Sequence, residues 1–337
     1  MKKSLIALAA LAAVSAASAQ STVTISGGFG LAFGKSTLGT ADSGLQIARQ
    51  TGNLQFAGSE DLGGGLKAGF QLQSSIGAVA TTTTDVSTAS NRTILGDRGA
   101  NVTLSGGFGG LFLGRGNTAI RSLWGSIGDV TGLPVVSGIS DGSLAAGDTK
   151  SRVIYGDTFS NYIAYATPNV SGFTANLALA PTQDTSGTGI GDTDAYKDTT
   201  SLTLQYANGP LAAGVNITDV AATGGAKLTT LLASYDLGVA KVGVTTQSID
   251  LNDGSTNPGN GTVFTVSAPL GSGVAAAGFG KRSAETSAVG DDVKQTFVGY
   301  KYMFSKRTAV SAVYNKIDRA GTAYDLKETH LIVGHTF

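Results

Sequence analysis

The feature that most limits the fold of this chain is an alternation of apolar and polar residues with a period of two. In residues 66–73 the even positions are apolar, and the odd positions include Lys67, Gln71 and Gln73. Residues 22–33 follow the same rule, with Val23 and Ile25 on the apolar side. Successive side chains of a strand point to opposite faces, so the pattern predicts strands with one apolar and one polar face.

The N-terminus holds the one long apolar run of the chain. Residues 1–4 carry two lysines, residues 5–16 are apolar, and residues 17–19 are small. These are the three parts of a secretory signal, so we predict a signal peptide at residues 1–19 and a mature domain at residues 20–337. Nothing after Ala19 approaches the ~18 apolar residues of a membrane helix, so a mature chain in a membrane must form a closed barrel.

Composition favours a membrane surface over a water-facing one. Charged residues make up 14% of the chain, well below the ~25% of soluble domains. The 23 basic and 23 acidic residues balance, which gives no indication of a nucleic-acid partner. The absence of cysteine excludes a disulfide framework.

The connections between the alternating segments predict how many strands there are. Short turns alternate with longer polar segments, of which the first is predicted as a loop near residues 35–44, and fifteen connections in all imply sixteen strands. We therefore predict an all-β, 16-stranded antiparallel transmembrane β-barrel with an aqueous lumen. The longest connection, residues 116–151, contains Trp124 among glycines and serines. Its composition predicts a packed third loop that folds inward and narrows the lumen.

Motifs at the short turns carry a family resemblance. The chain resembles the Gram-negative general porins of β-proteobacteria in GSEDLGGGLKA at residues 58–68, and in residues 113–115, 206–211, 233–241, 269–271 and 304–308. The resemblance implies an outer-membrane homotrimer for passive diffusion of small hydrophilic solutes and ions. It also implies a constriction between acidic residues of the third loop and basic residues of the wall. No enzymatic activity, cofactor or metal is expected.

The charged residues predicted for the constriction come partly from the family pattern and partly from placement. Arg98 and Arg115 match basic positions of the family, Asp129 lies just before the Leu-Pro pair where relatives have carboxylates, and Asp141 follows; Arg49 and Arg152 are candidates by placement. This chain departs from the family where Asn53 and Ala57 replace arginines and Val135 replaces an acid. The terminal Phe337 is predicted to be the assembly signal read by the barrel-assembly machinery.

Three alternatives to a general pore follow from the sequence. A channel selective for sugars or organic anions would need a ladder of aromatics or arginines in the lumen. An outer-membrane barrel enzyme would need a histidine on the lipid-proximal wall, whereas His330 is predicted to face inward. A secreted soluble adhesin would bury its apolar face in a core. The expected partners of a pore are outer-membrane lipid, lipopolysaccharide and two further copies of the chain.

Overall fold

The structure is a computed structural model that describes residues 22–76, 95–134, 153–154, 158–181, 199–221, 225–251, 259–283, 292–319 and 325–337. Sixteen antiparallel strands form one closed barrel in which β1 pairs with both β2 and β16. The predicted sixteen-stranded antiparallel barrel is therefore confirmed. The predicted signal peptide, residues 1–19, lies outside the described residues.

The strands follow one another around the barrel in chain order. Their bounds are β1 Thr22–Leu38, β2 Ala41–Gly63, β3 Leu66–Ser75, β4 Gly99–Gly106, β5 Gly109–Asn117, β6 Thr158–Ala166, β7 Phe173–Ala180, β8 Thr199–Asn208, β9 Leu211–Val220, β10 Ala226–Asp236, β11 Lys241–Leu251, β12 Asn260–Leu270, β13 Gly273–Ser283, β14 Val293–Met303, β15 Thr308–Arg319 and β16 Leu326–Thr336.

The polarity of the two barrel faces is the reverse of that in a soluble β-protein, because apolar side chains cover the outside and polar side chains lie inside. Large apolar side chains lie exposed on the outside, among them Val102 at 56% and Val298 at 52%. Polar side chains such as those of Asn216 and Gln295 are fully buried on the inside. This inversion fits lipid outside and a polar lumen inside, and it disfavours a soluble adhesin. None of the described helices is long and apolar enough to span a membrane.

Short and long connections separate to opposite ends of the barrel. One end, the short-turn end, carries the tight connections, such as Gly64–Gly65 between β2 and β3. The opposite end, the long-loop end, carries the connection from β5 to β6. The first connection differs from our prediction of a loop near residues 35–44, because the strands continue to a two-residue turn at Gly39 and Thr40. Polar residues there sustain strand pairing: Lys35 forms an ion pair with Asp42.

The described part of the long connection after β5 lies inside the barrel. Helix α1, Ala119–Leu123, is capped by Thr118, whose Oγ1 accepts the Arg121 N–H at 3.3 Å, and a π-helical turn, Trp124–Gly128, follows. The apolar residues of this segment pack against inward-facing residues of distant strands: Ile120 and Trp124 on Leu228, Ile249 and Val263, Leu123 and Ile127 on Leu232, and Leu133 on Phe297 and Ile332. A segment that leaves β5 reaches these strands only through the lumen.

Gly27 lies at the seam between the first and last strands, where there is no room for a side chain. The backbone N–H and C=O of Gly27 both bond to Phe337, at 3.1 and 3.0 Å. A Cβ at Gly27 would lie 2.5 Å from the Asn53 carbonyl oxygen and 2.7 Å from the Phe337 ring. A side chain larger than hydrogen therefore does not fit at this point between β1, β2 and the end of the chain.

We expect Gly27→Ala to destabilise the barrel by about 1–3 kcal/mol, the usual cost of overpacking. The measurement is the urea dependence of the fraction that runs as a folded, heat-modifiable band on gels. Gly334→Ala is the matched control, because this glycine of β16 has no atom within 4 Å of an added Cβ. Equal midpoints for the two variants would contradict the importance of this contact.

Candidate pore constriction

A row of amide side chains lies on the inner face of β2 and β3. Gln71 Nε2 donates to Gln55 Oε1 at 2.9 Å, and Gln73 Nε2 reaches the same oxygen at 3.3 Å. The three residues share the inward face because Gln55 pairs with Gln73 and the intervening Phe56 and Leu72 point outward. This wall is polar but uncharged.

The amide row borders a cavity of about 460 Å³ in the lumen. Its wall includes Lys67, Gln71, Gln73, Arg98, Asn101 and Thr103. Its opposite side is formed by Asn117, at the end of β5, and by Ser122 of the inserted segment, which comprises residues 118–134. The exposed side of helix α1 therefore faces the wall formed by β3 and β4 across water-accessible space. This gap is the candidate constriction.

A second cavity lies on the other side of the same helix. It has about 360 Å³ and is lined by the inner faces of β5 to β8. The two cavities share Phe112, Asn117, Ser122 and Tyr162, so they meet at this group. These two cavities thus lie along β2 to β8.

Hydrogen bonds hold the inserted segment against the opposite wall. Thr265 Oγ1 donates to the Gly128 carbonyl at 2.8 Å, and Ser267 Oγ donates to the Val130 carbonyl at 2.7 Å. Lys301 Nζ donates to the Gly132 carbonyl at 3.3 Å. The first bond satisfies a carbonyl at the end of the π-helical turn, and the other two satisfy carbonyls of the irregular backbone that follows it. Together they fix the distance between the helix and the amide wall.

Residues 153–154 also lie close to the inner wall of the barrel. Val153 and Ile154 are buried against Val263 and its neighbours. A Cβ at Gly261 would lie 1.9 Å from the Val153 carbonyl oxygen, so only glycine permits this approach.

The structure separates the two arginines that the sequence placed together in the constriction. Arg98 lies just before β4 and lines the larger cavity. Arg115 pairs with Ala100, on the same side of the sheet as the outward pair Leu113 and Val102. Its Nε donates to the Asp97 carbonyl at 2.7 Å. Arg115 therefore supports the turn before β4 from the outer side.

The other predicted charges are only partly described. Asp129 is half-buried, and its carboxylate accepts the backbone N–H of Thr131 at 2.9 Å and the Thr131 hydroxyl, so it closes the turn after the π-helix. The backbone of Arg49 lies in β2, opposite Leu31. Arg152 and Asp141 lie outside the described residues. Asp129 borders neither of the two cavities described above.

Sequence reasoning missed the amide wall as a functional surface. Gln71 and Gln73 were predicted to lie on the polar side of a strand, whereas the residues predicted for the constriction are all charged. The signal was available, because Gln55, Asn101 and Thr103 alternate with apolar residues in the same way. Pairing across strands, which the sequence does not give, brings them together.

His330 lies on the inner face of β16, as predicted. It is 8% exposed and pairs with Val313 and Gly34. A histidine on the lumen side lacks the lipid-proximal position that the enzyme alternative requires. The neighbouring inward carboxylate, Glu328, accepts a hydrogen bond from Asn315 at 2.9 Å, which in turn accepts one from Gln295. These residues form a structural network along the wall.

An exposed apolar exterior, a closed sixteen-stranded sheet and a polar lumen narrowed by an inserted segment define an outer-membrane diffusion channel. Comparison with known proteins agrees, since the chain belongs to the Gram-negative porin family, whose sequence pattern matches residues 7–322. It is 34% identical over 330 residues to outer membrane porin protein 32 of Delftia acidovorans, covering 92% of this chain and 88% of that one.

Solved structures share the same architecture. An anion-selective porin from Comamonas acidovorans superposes with a TM-score of 0.72 at 25% identity, over 94% of this chain and all of the other. The trimer form of OmpT from Vibrio cholerae superposes with a TM-score of 0.67 at 13% identity, over 94% and 99% of the two chains. The chain is therefore a porin of the Gram-negative outer membrane and not an enzyme.

Proposed function

We propose that this porin is a general pore in which helix α1 and the wall of β2 to β4 form the narrowest passage. Small hydrophilic solutes and ions would pass between Ser122 and the amide row, with Arg98 and Lys67 as the charges that bias ions. The observation that carries the proposal is the cavity of about 460 Å³ between them, which has polar residues on both sides. Amide groups offer both donors and acceptors, so they exchange hydrogen bonds with water and many solutes.

A weak preference for anions follows from this arrangement. Arg98 and Lys67 are positive charges in the lining of the larger cavity, whereas the carboxylate of Asp129 is engaged with Thr131. The relative from Comamonas acidovorans, which is anion-selective, supports the same sign. This chain has Asn53 and Ala57 at two positions where the family commonly has arginines. We therefore expect its preference for anions to be weaker than that of such relatives.

A channel selective for sugars or organic anions fits the described lumen less well. The aromatic residues in the linings of the two cavities are Phe70, Phe112 and Tyr162, and Arg98 is the arginine in these linings. Three aromatics at these places do not form a ladder along the pore, and neither does one accessible arginine.

Trimeric assembly is part of the proposal. The supporting observation is that a fold relative, OmpT of Vibrio cholerae, has a trimer form. The proposal also includes export of the chain. The signal peptide would be cleaved after Ala19, and the barrel-assembly machinery would recognise Phe337. Intact mass measurement of the outer-membrane protein tests the cleavage site, because the mature chain would begin at Gln20.

The test of function is conductance of the refolded protein in a planar bilayer, with the reversal potential measured in a salt gradient. We expect ohmic openings in groups of three and a reversal potential of the sign that indicates a modest anion preference. A folded, inserted barrel that conducts no ions would contradict the open pore. A strong cation preference would contradict the role of Arg98.

A further inference from the structure

The cavity of about 360 Å³ beside helix α1 has an apolar wall, and we call it the side pocket. Ala164 and Ala166 of β6 and Ala178 of β7 border it. These alanines face inward because Ile163 and Leu177, at alternate positions of the same strands, are about half exposed on the outside. The inner wall of a wide barrel is usually polar, so an apolar stretch of the lumen is a distinct environment for a solute.

Larger apolar side chains enclose the same pocket. Phe112 lies directly opposite Ala164 across β5 and β6, and Tyr162 packs against the alanine cluster. Leu123 of helix α1 borders the pocket as well. An apolar ring that enters this space would exchange water for contacts with these groups, which is favourable.

The end of the side pocket nearer the short turns is polar. Asn176 lies opposite Ala166 across β6 and β7 and opposite Thr203 across β7 and β8. Gln205 lies one step closer to the short-turn end, opposite Thr174. Among the described residues, the side-chain amides of Asn176 and Gln205 have no hydrogen-bond partner, and both residues are half-buried. They can therefore bind a polar group inside the pocket.

Charge separates the side pocket from the constriction beside it. Lys67 and Arg98 line the larger cavity, whereas the described lining of the side pocket includes no carboxylate, ammonium, guanidinium or imidazole group. Asn117 and Ser122 border both cavities, so a solute in the constriction would reach the pocket past these two residues. The pocket therefore favours uncharged solutes.

We propose that the side pocket binds uncharged aromatic carboxamides. The ring lies against the alanines and Phe112, and the carboxamide exchanges hydrogen bonds with Asn176 and Gln205. A carboxamide both donates and accepts, as the two side-chain amides do. A carboxylate on the same ring would lose hydration without gaining a positive partner. The volume lies near the lower end of the ~300–1,000 Å³ of small-molecule sites, which suits a ligand with a single ring.

The test uses an introduced thiol, because the chain has no cysteine of its own. The refolded full-length mature protein carries Ala166→Cys, and a small uncharged methanethiosulfonate labels the thiol at a rate followed by intact mass. Benzamide is the probe. We expect it to slow labelling saturably, with half-protection on the order of 1 mM. Thr103→Cys is the matched control thiol, because Thr103 borders the larger cavity and not the side pocket, and its labelling should not change.

Two comparison solutes separate the parts of the ligand. Benzoate keeps the ring but carries a charge, and acetamide keeps the carboxamide but has no ring. Each should protect the thiol at position 166 at least tenfold less well than benzamide. Equal protection by benzamide and benzoate would overturn the proposal.

Two further variants, each combined with Ala166→Cys, test the walls of the pocket. Ala178→Leu fills the apolar part and should raise the half-protecting benzamide concentration at least tenfold. Asn176→Ala with Gln205→Ala removes both amides without filling the space and should raise it about tenfold. Ala233→Leu is the matched control for the first variant, because Ala233 faces outward between Leu231 and Tyr235, and it should change nothing.

Three results would overturn the side pocket as a binding site. One is equal protection of the thiols at positions 166 and 103. Another is an unchanged half-protecting concentration in both wall variants. The third is a thiol at position 166 that stays unlabelled while the thiol at position 103 reacts, because the pocket would then be closed to solutes. Each result leaves the conductance test of the general pore unaffected, so the two proposals fail separately.

Discussion

Arg98→Glu is expected to shift the selectivity of the channel towards cations by about threefold in about 0.1 M salt. A unit charge changes the energy of an ion about 10 Å away in water by about 0.4 kcal/mol. The substitution changes the wall by two charges, and its effects on cations and anions are opposite. Screening at about 0.1 M salt reduces the effect to roughly a third at this distance, so the shift should grow as salt is lowered.

The control for this experiment is Arg115→Gln. The register of β4 and β5 directs Arg115 to the outward side, so its neutralisation should leave the reversal potential unchanged. The sequence had suggested that Arg98 and Arg115 act together, and the two single variants test that hypothesis directly. A shift from the Arg115 variant equal to that of Arg98→Glu would contradict the register-based assignment. No shift from Arg98→Glu would remove Arg98 from the constriction.

Removal of the hydroxyl groups that hold the inserted segment should release it from the wall. The combined variant Thr265→Val and Ser267→Ala keeps side-chain size nearly constant but leaves the carbonyls of Gly128 and Val130 without these donors. An unsatisfied buried polar group costs about 1–3 kcal/mol, so docking should weaken by about 2–6 kcal/mol. We expect single-channel currents to fluctuate between levels, whereas the unmodified channel should conduct steadily.

The single tryptophan provides an independent measurement. Trp124 belongs to the inserted segment and is 7% exposed. Its fluorescence should become more accessible to iodide in the double variant, because undocking exposes the ring to water. Thr296→Val is the matched control, since Thr296 points outward to lipid and contacts no part of the segment. Steady currents together with unchanged quenching in the double variant would show that apolar packing alone fixes the segment.

The fold could be predicted well because alternation is a local property. Lipid on one side and water on the other require a period of two along every strand, and the short turns lie where glycine-rich and proline-containing motifs occur. The first connection was predicted as a loop near residues 35–44, a stretch that begins with the polar residues Lys35 to Thr37. In the structure these residues continue β1 and pair with both β2 and β16. Polarity identifies loops poorly at the rim, where strands extend beyond lipid.

The candidate site could be predicted only in part. Arg98 would point outward by simple alternation with Val102, yet it lies in the turn before β4 and lines the cavity. Arg115 follows the alternation set by Leu113 and lies outward, although its place in the family pattern suggested the lumen. Alternation holds within strands and fails at their ends, where the constriction lies.

The sequence by itself determined the class of this protein: sixteen amphipathic strands, an apolar exterior, a polar interior and a long third connection of mixed composition. The tertiary structure decided which polar residues meet, because the amide wall joins Gln55 to Gln71 and Gln73 from different strands, and helix α1 faces it only after docking against β10 to β12. The physical reason is that face alternation is set by neighbours along the chain. Pore geometry depends on cross-strand register and on packing between residues more than a hundred positions apart.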